Sequence, residues 1–280
     1  MTAGADWISQ ISTLCYYSQK RLFSLMNFLN WYKEQSKKHG AAKAVKLFAD
    51  VYGSRLKSEL ANKILAEKVE CPICGWRGHK FYDYIDGESF SYGVECPQCL
   101  SHGRHRALFS WLKNDFRLAE KSGWALVCAP EKPIAPLWNS SDSLKVVKLD
   151  IEPVRGVDVL ADLQEIPFAD NSYDLIWCHH VLEQIPDDKK ALNELFRVLK
   201  PLSGMLIVSS AMAQNKITNE FGHSNINHFG NWRIYGQDFP QKLADCHFSV
   251  EKVVFNLTKQ DCEKFGIDRE EKIYICRKTV

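Results

Sequence analysis

Residues 162–176 read DLQEIPFADNSYDLI, residues 179–188 read HHVLEQIPDD, and residues 194–201 read ELFRVLKP. The first stretch leads into an apolar run at 173–179, which is typical of a buried strand. The last stretch lies in a predicted helix at 188–199, which Asp187 is placed to cap and which Pro201 ends. A buried strand followed by a capped helix with one apolar face indicates a unit of an α/β sheet.

Further apolar runs lie on both sides of these stretches. They are found at 124–129, 144–151, 157–163, 204–209, 248–255 and 272–276. The first four, together with the run at 173–179, alternate with helical or loop segments, which predicts a parallel sheet built from βαβ units. A helix at about 238–245 precedes the last two runs, and no convincing helix separates them. The chain is therefore predicted to form a seven-stranded sheet whose last strand runs antiparallel.

Four of the ten cysteines form two Cys-Pro-x-Cys pairs. They are Cys71, Cys74, Cys96 and Cys99. Each pair bends the chain so that two thiolates face one point, and two pairs complete the closed tetrahedral shell of a structural Zn²⁺. We therefore predict a zinc ribbon at 69–106. The alternatives are redox or merely buried pairs, and His102 and His105 lie close enough in sequence to be substitute ligands.

Residues 1–68 are predicted to form a helical arm, since Val45, Phe48, Ala49 and Tyr52 follow a helical spacing. The arm holds 11 Lys or Arg and 5 Asp or Glu, an excess of +6. We interpret this excess as the solvated face of a packed helix hairpin, with a docking arm for an acidic partner as the alternative. The predicted domains are the arm at 1–68, the ribbon at 69–106 and a third domain at 107–280.

The whole chain carries 36 basic and 34 acidic side chains, and its net charge of +2 gives no strong attraction to nucleic acid or to an anionic membrane. The apolar stretch at 22–31 is too short for a membrane span, which needs roughly 20 residues. The first residues do not follow the pattern of a secretory signal peptide, and the other cysteines are scattered rather than arranged as a disulfide framework. We expect a cytoplasmic protein without a membrane span.

The quoted stretches resemble the class I S-adenosylmethionine-dependent methyltransferases, a Rossmann-like family. The resemblance covers about residues 122–280, and with the ribbon the chain is similar to a bacterial branch of methyltransferase type 11-like enzymes that carry an N-terminal four-cysteine ribbon. It implies an α/β fold, a Rossmann-like seven-stranded methyltransferase sheet joined to a helical arm and a small zinc ribbon. It also implies S-adenosylmethionine as the cofactor.

The resemblance implies a set of donor-binding residues. Asp150 would accept hydrogen bonds from the ribose hydroxyls, Asp162 would hold the adenine amino group, and Leu163 would pack on the adenine ring. His179, at the end of the fourth strand of the family fold, would face the methyl donor. The alternatives are that the two aspartates are loop or cap residues and that His179 is a buried, hydrogen-bonded histidine.

The loop after the first sheet strand departs from the family, which usually has a Gly-x-Gly-x-Gly pattern there. This chain reads APEKP at 129–133. Ala129 and Glu131 are then expected at the amino-acid end of the donor, with Glu131 accepting its ammonium group and Arg104 or Arg106 balancing its carboxylate. The two arginines begin a predicted helix, where they oppose the helix dipole, so an anionic ligand or a salt bridge to an acidic side chain is expected beside them.

Methyl transfer is an in-line displacement, which needs a positioned acceptor and, for an oxygen nucleophile, a base. The proposed catalytic histidines are His179 and His228, with His180 as a further candidate for the base. The polar, aromatic segment at 223–236 is expected to be an acceptor-binding lid, in which Arg233 and Tyr235, together with His180, contact the acceptor. A structural corner that fixes the start of a helix is the alternative for Arg233 and Tyr235.

The expected activity is methylation of a small-molecule or glycan acceptor at oxygen or nitrogen. This is favoured because the sequence has no basic stripe and no RNA-recognition pattern. An RNA- or protein-directed methyltransferase that the zinc ribbon targets is the second hypothesis. A non-catalytic, methyltransferase-like binding protein is the third, because the glycine pattern is missing.

Overall fold

A computed structural model describes residues 32–33, 35–37, 40–86, 89–154, 156–210, 212–213, 217–225, 228–253, 255, 257–267 and 272–279. The described residues up to Ser110, together with those of Leu257–Glu270, form one compact unit. Those of Trp111–Asn256 and Glu271–Val280 form a second compact unit. Among the described helices, none combines the length and the apolar character that crossing a bilayer requires.

The helices are α1 (Ala41–Ile64), α2 (Gly103–Asn114), α3 (Ala135–Trp138), α4 (Asp188–Val198), α5 (Phe239–Asp245) and α6 (Lys259–Phe265). The first strands are β1 (Val69–Glu70), β2 (Arg77–Gly78), β3 (Tyr82–Asp86) and β4 (Ser89–Glu95). The strands of the large sheet are β5 (Gly123–Cys128), β6 (Leu144–Asp150), β7 (Val159–Leu160), β8 (Leu175–His179), β9 (Met205–Ser209), β12 (Phe248–Lys252) and β13 (Ile273–Lys278). A separate pair is formed by β10 (Asn219–Asn225) and β11 (Asn231–Ile234).

The large sheet has the strand order β12-β13-β9-β8-β5-β6-β7. Strands β5 to β9 pair in parallel, whereas β13 is antiparallel to both of its neighbours, β12 and β9. The predicted α/β fold, with seven strands and an antiparallel last strand, is confirmed. The order arises because the chain leaves β5 toward one edge through β6 and β7, then returns to the other side of β5 with β8.

Helix α4 covers one face of this sheet. Asp187 caps it as predicted, since its carboxylate accepts a hydrogen bond from the Lys190 N–H at 2.9 Å. The apolar side of α4 packs on alternate residues of β5, β8 and β9, because side chains two apart in a strand share a face. The packed residues are Ala191, Leu192, Leu195 and Val198 against Leu126, Cys128, Ile176, Cys178, Leu206 and Val208. Burial of this apolar surface is the main stabilisation of the second unit.

Several residues of the quoted stretches serve the fold. The Arg197 guanidinium donates to the Phe168 carbonyl at 2.7 Å and to the Ile166 carbonyl at 2.8 Å. Asp174 accepts hydrogen bonds from the Trp124 N–H at 2.9 Å and from Lys200 Nζ at 2.8 Å. The hydrogen bonds of Arg197 and Asp174 therefore hold together the loop before β8, the start of β5 and the end of α4.

Three parts of the chain differ from the sequence-based prediction. In the chain, helix α6 follows β12 and precedes β13, where no helix was predicted. The helix buries none of its residues, so its sequence has no apolar periodicity that would reveal it. Its capping box, Thr258 with Asp261, does mark its start. The segment at 223–236, which was expected to bind the acceptor as a lid, supplies β11 and the end of β10, which pair as a hairpin, and the run at 157–163 forms only the two-residue strand β7.

Candidate functional site

The geometry of the large sheet defines a ligand-binding position. Strands β5 and β8 are neighbours, but the chain continues from β5 toward one edge and from β8 toward the other. In open α/β sheets, ligands bind at the carboxyl ends of the strands where the strand order reverses in this way. The residues that follow β5, β6 and β7 and those that end β8 are therefore the candidate site.

The loop after β5 meets the end of β8. Ala129 has a φ of +46°, in the left-handed region that usually requires glycine, and its N–H donates to the Leu149 carbonyl at 2.8 Å. This turn brings Glu131 Oε2 to 2.6 Å from Nδ1 of His179, whose side chain is only 2% exposed. The structure therefore brings together two predicted site residues, and the turn expected of glycines is made without them.

A second carboxylate and histidine pair lies next to the first. His180 follows β8 with a φ of +53°, and its ring centre is 4.4 Å from that of His179. Its Nδ1 is 2.9 Å from Oε1 of Glu183, whose other oxygen accepts a hydrogen bond from the Ser210 hydroxyl at 2.7 Å. Burial by itself raises the pKa of Glu183, but the bonds from His180 and Ser210 outweigh it and hold the pKa below its usual range.

Sequence reasoning missed Glu183 and Ser210 as site residues. Glu183 lies three residues after His180, in the quoted stretch 179–188, and Ser210 directly follows β9. Their position beside the strand ends was available from the predicted sheet. Their contact with each other, however, joins residues 27 apart in the chain, which no local pattern records.

Asp150 and Asp162 follow two neighbouring strands. Asp150 ends β6, and its carbonyl accepts a hydrogen bond from the Ala161 N–H at 3.0 Å, next to Asp162. Asp150 Oδ1 also accepts from the Glu152 N–H at 3.1 Å. Burial raises the pKa of Asp150, with the nearby charge of Glu152 adding to the effect.

Asp162 accepts hydrogen bonds from Gln164, at 2.8 Å from the backbone N–H and at 2.9 Å from the side-chain amide. Leu163, beside it, is buried in the core under α4. Carboxylate oxygens are hydrogen-bond acceptors, and hydroxyl and amino groups are the donors that a nucleoside offers. The acidic residues at these strand ends therefore fit a nucleoside-containing cofactor such as S-adenosylmethionine.

Arg233 and Tyr235 are engaged with other parts of the chain. The Arg233 guanidinium is buried and donates to the carbonyls of Leu182, Ile185 and Pro186 at 3.1, 2.6 and 2.8 Å. The hydroxyl of the fully buried Tyr235 donates to Asp188 at the start of α4, at 2.6 Å. These contacts favour the structural corner over direct binding of an acceptor.

His228 lies in the connection between β10 and β11. Its ring stacks on Phe221 with the ring centres 4.9 Å apart and the planes inclined by 10°. The other catalytic candidate, His179, ends strand β8 and pairs with Glu131. His228 therefore belongs to the hairpin, whereas His179 belongs to the strand-end site.

The four cysteine sulfurs of the ribbon converge. All four Sγ atoms lie within 4.8 Å of one another, with 3.6 Å between Cys71 and Cys99 and 3.6 Å between Cys74 and Cys96. Sulfurs bound to Zn²⁺ at 2.3 Å in a tetrahedron are about 3.8 Å apart, so the four residues fit zinc. Hydrogen bonding with Cys96 and then Cys99 holds the pKa of Cys71 well below its usual value, whereas burial raises the pKa of Cys74 to about 11 and hydrogen bonding with Cys71 raises the pKa of Cys96.

Backbone and side-chain groups around the sulfurs shape both turns. The Gly75 N–H donates to the Cys71 carbonyl at 2.9 Å, and the Leu100 N–H donates to the Cys96 carbonyl at 3.0 Å. The buried Ser101 hydroxyl lies 3.4 Å from Cys71 Sγ and 3.2 Å from Cys99 Sγ. The hydroxyl thus lies beside the prospective ligands, as an outer-shell partner of a metal site does.

The nearby histidines and arginine have other contacts. His105 Nδ1 accepts a hydrogen bond from the His102 N–H at 2.9 Å, and neither ring belongs to the converging group of cysteines. Arg106 is fully buried over the Phe81 ring and donates to the carbonyls of Ser101 and Val94, at 2.6 and 3.0 Å. It also donates to the Phe265 carbonyl at 2.5 Å and the Gly266 carbonyl at 3.0 Å. Backbone carbonyls therefore satisfy this cation, where an anionic ligand or an acidic side chain was expected.

Comparison with known proteins relates part of the chain to methyltransferases. Residues 136–208 match the family described as Methyltransferase domain. The ubiquinone/menaquinone biosynthesis C-methyltransferase UbiE of Rickettsia prowazekii is 33% identical over 81 residues, which cover 29% of this chain and 33% of that protein. The uncharacterized methyltransferase YcgJ of Bacillus subtilis is 26% identical over 117 residues, which cover 41% of this chain and 43% of that protein.

The crystal structure of YcgJ is also similar, with a TM-score of 0.45 and 14% identity over 63% of this chain and 100% of that chain. The chain spans between a third and somewhat over two fifths of the length of the two curated relatives. The matched segment 136–208 begins in α3 and ends in β9, and so contains β6, β7, β8 and α4. Residues 136–208 of the chain are therefore similar to a methyltransferase domain.

Proposed function

We propose that the chain is an S-adenosylmethionine-dependent methyltransferase that acts on a small-molecule or glycan acceptor. The observation that carries the proposal is the grouping of acidic and histidine side chains at the reversal of strand order: Glu131 with His179 after β5 and β8, and Asp150 and Asp162 after β6 and β7. The family match over residues 136–208 supports it.

In this proposal, the strand-end residues hold the donor. Asp150 accepts from the ribose hydroxyls, Asp162 accepts from the adenine amino group, and Leu163 packs against the adenine. Ala129 and Glu131 lie at the amino-acid end, where the carboxylate of Glu131 accepts from the ammonium group. When bound, S-adenosylmethionine supplies a methyl group on a positively charged sulfur.

The two histidines at the end of β8 are proposed to handle the acceptor's proton. Each has Nδ1 beside a carboxylate, His179 at Glu131 and His180 at Glu183. A carboxylate partner fixes the proton on Nδ1 and leaves Nε2 as the basic atom. The Nε2 of either histidine would accept the proton of a hydroxyl acceptor placed beside it.

The hairpin β10–β11 is proposed to form the acceptor side of the site. His228, the second predicted catalytic residue, contacts the acceptor from this hairpin. Arg233 and Tyr235 support the site indirectly, since their bonds to the loop after β8 and to Asp188 fix the hairpin in place.

The cysteine cluster is proposed to bind one structural Zn²⁺. Its four sulfurs fill the coordination shell, and they leave no position for a water molecule or a substrate. Zinc would thus order the ribbon and take no part in methyl transfer.

Calorimetric titration of the zinc-loaded protein with S-adenosylmethionine, and with its demethylated product, tests the donor site. We expect micromolar binding that falls at least tenfold in Asp150→Ala, because the ribose loses its acceptor. Asp142→Ala removes an exposed carboxylate just before β6 and is the matched control, for which no change is expected. If the wild-type protein binds neither compound, the proposal is wrong and the non-catalytic hypothesis replaces it.

A further inference from the structure

Ser209, the last residue of β9, lies on the face of the large sheet opposite α4. Leu206 and Val208 of β9 pack under α4, and because side chains alternate along a strand, the side chain of Ser209 points to the opposite face. The same alternation applies to β8, where Cys178 packs under α4 and His179 points away from it. Ser209 and His179 therefore share one face, here called the second face.

Strands β8 and β9 bring these two residues side by side. They run in parallel with His179 and Ser209 in register, and neighbouring strands are about 4.8 Å apart. The Ser209 carbonyl also accepts a hydrogen bond from the His180 N–H at 3.1 Å. On its other side, Ser209 is in register with Ile273 of β13, which is apolar. Of its two neighbours in register, His179 is thus the polar one.

The hydroxyl of Ser209 is buried and unpaired. The residue is 1% exposed, and its Oγ has no hydrogen-bond partner among the residues that the structure describes. The next residue, Ser210, is also buried, but its hydroxyl donates to Glu183 at 2.7 Å. A buried hydroxyl without a partner lowers the stability of a fold, and alanine would occupy nearly the same space without that cost. The hydroxyl at the end of β9 is therefore explained best by a group from outside the chain that pairs with it.

A second buried donor packs on the same face. Trp138, the last residue of α3, is 1% exposed, and its indole Nε1 has no partner within the described part of the chain. Its ring centre is 5.5 Å from that of Trp177, which in turn stacks on His179 at 5.6 Å with the planes inclined by 25°. Trp177 lies two residues before His179 in β8 and so also points to the second face. One aromatic ring thus separates the Trp138 indole from His179.

The two unpaired groups restrict the chemistry of a ligand on the second face. An indole N–H can only donate a hydrogen bond, whereas a serine hydroxyl can donate or accept. Hydroxyl and ether oxygens of a ligand can accept from both groups. A protonated amine has no lone pair, so it leaves the Trp138 N–H without a partner. The pair therefore favours a ligand that carries more than one oxygen atom.

We propose that Ser209 binds the methyl acceptor and that the acceptor is a hydroxylated compound, methylated at oxygen rather than at nitrogen. This inference rests on the proposed methyltransferase function. The Ser209 hydroxyl donates to the oxygen of the acceptor's hydroxyl group, beside His179, and Trp138 Nε1 donates to a second oxygen of the same compound. Both groups are nearly fully buried, so side chains around them move aside when the acceptor binds.

Methyl transfer from S-adenosylmethionine to defined probes tests the substrate class. Benzyl alcohol represents a small aromatic alcohol, methyl glucoside represents a sugar, and benzylamine is the amine counterpart of the first. Mass spectrometry detects the methylated products, and NMR spectra show which atom carries the methyl group. We expect a methyl ether of at least one alcohol probe and no methylation of benzylamine.

Two substitutions test the binding residues. Ser209→Ala and Trp138→Phe each remove one hydrogen-bonding group and keep most of the side chain. Either should lower kcat/KM for the methylated alcohol at least tenfold and leave the affinity for S-adenosylmethionine, measured by calorimetry, unchanged. Ser249→Ala changes an exposed serine of β12, in the same sheet, and is the matched control that should alter neither quantity.

Thermal unfolding separates a binding role of Ser209 from a purely structural one. Ser209→Ala should raise the thermal midpoint of the donor-free protein by about 2 to 4 °C, because alanine removes the unpaired hydroxyl. Ser210→Ala should lower it, because Glu183 loses a hydrogen bond. A lowered midpoint in Ser209→Ala would overturn the proposal, since the hydroxyl would then have a structural partner such as an internal water molecule.

Two results of the transfer assay would also overturn the proposal. The first is a protein that binds S-adenosylmethionine but methylates benzylamine, or methylates none of the probes. The second is an unchanged kcat/KM in Ser209→Ala. A protein that does not bind S-adenosylmethionine contradicts the proposed methyltransferase function itself, and this inference with it, so the calorimetry distinguishes the two failures.

Discussion

Asp150 shows a conflict between folding and the proposed binding of the donor. The carboxylate ends β6 in a half-buried position, and burial raises its pKa above the ordinary value of 3.8. A raised pKa means that keeping the group ionised costs folding free energy at every pH above the folded pKa. The same ionised carboxylate is the hydrogen-bond acceptor that is proposed to bind the ribose. The group that lowers the stability of the fold is thus the group that the proposed ligand requires.

We expect Asp150→Asn to raise the thermal midpoint of the donor-free protein at pH 7, because the amide removes the cost of burying a charge. The gain should shrink as the pH falls and vanish below the unfolded pKa, where the wild-type carboxyl is neutral in both states. Thermal melts from pH 3.5 to pH 8 measure it. A gain that does not change with pH would contradict this account, as would an equal gain in Asp142→Asn, which removes an exposed charge.

The sequence predicts the roles of some residues better than those of others. The four converging cysteines were predicted because their spacing is local and because their chemistry is specific. Arg106 was assigned to the donor or to a salt bridge because a sequence cannot show that its partners are backbone carbonyls. Two of these carbonyls, of Phe265 and Gly266, belong to residues about 160 positions away.

The entry into β5 depends on Gly123. Its φ is +99°, and a Cβ at this position would lie 2.6 Å from Cγ of Asp174, the carboxylate that joins β5 to Lys200. Gly156, in the loop before β7, has a similar φ of +92°, but a Cβ there would meet no atom within 4 Å. Both positions need the backbone conformation that glycine allows, but only Gly123 also needs the absence of a side chain.

We expect Gly156→Ala to lower the free energy of unfolding by about 1 to 2 kcal/mol, the usual cost of a left-handed residue with a side chain. Gly123→Ala should lower it by about 1 to 3 kcal/mol more, because Asp174 must move and its bond to the Trp124 N–H weakens. Urea denaturation of both variants measures the difference. Equal losses would show that Asp174 moves freely and does not hold β5.

The secondary structure was predictable where apolar side chains set it. Strands β5, β6, β8 and β9 were found within two residues of their bounds, since each contains buried, branched apolar side chains. Helix α6 was missed because its residues are exposed or only half-buried, and hairpin β10–β11 was missed because most residues of β10 are polar. Such elements are fixed by backbone hydrogen bonds and by contacts with distant residues, which leave little pattern.

Each of the two compact units carries its own candidate ligand site. The cysteine cluster belongs to the first unit, and the strand-end residues belong to the second. A ligand that binds only the folded state stabilises it, by about 2.7 kcal/mol at a concentration one hundred times the dissociation constant. Folding coupled to structural zinc is stronger, since the apparent binding energy is about 10 to 16 kcal/mol in small zinc domains.

We therefore expect two transitions in scanning calorimetry of the full chain. A chelator, or Cys71→Ser, should lower one of them, whereas S-adenosylmethionine should raise the other. A Ser110→Ala variant, which changes a buried serine away from the sulfurs, is the control for the cysteine substitution. One transition that responds to both ligands would contradict the prediction.

The position of α6 in the chain has a consequence for the synthesis of the protein. Arg106 leaves the ribosome 159 residues before Phe265, whose carbonyl it will bind. At about 5 to 20 residues per second, the arginine is made roughly 8 to 30 s before that partner exists. During this interval all four cysteines of the cluster have been translated, while the guanidinium still lacks the Phe265 carbonyl. The first unit to begin translation is thus completed only after nearly all of the second has been translated.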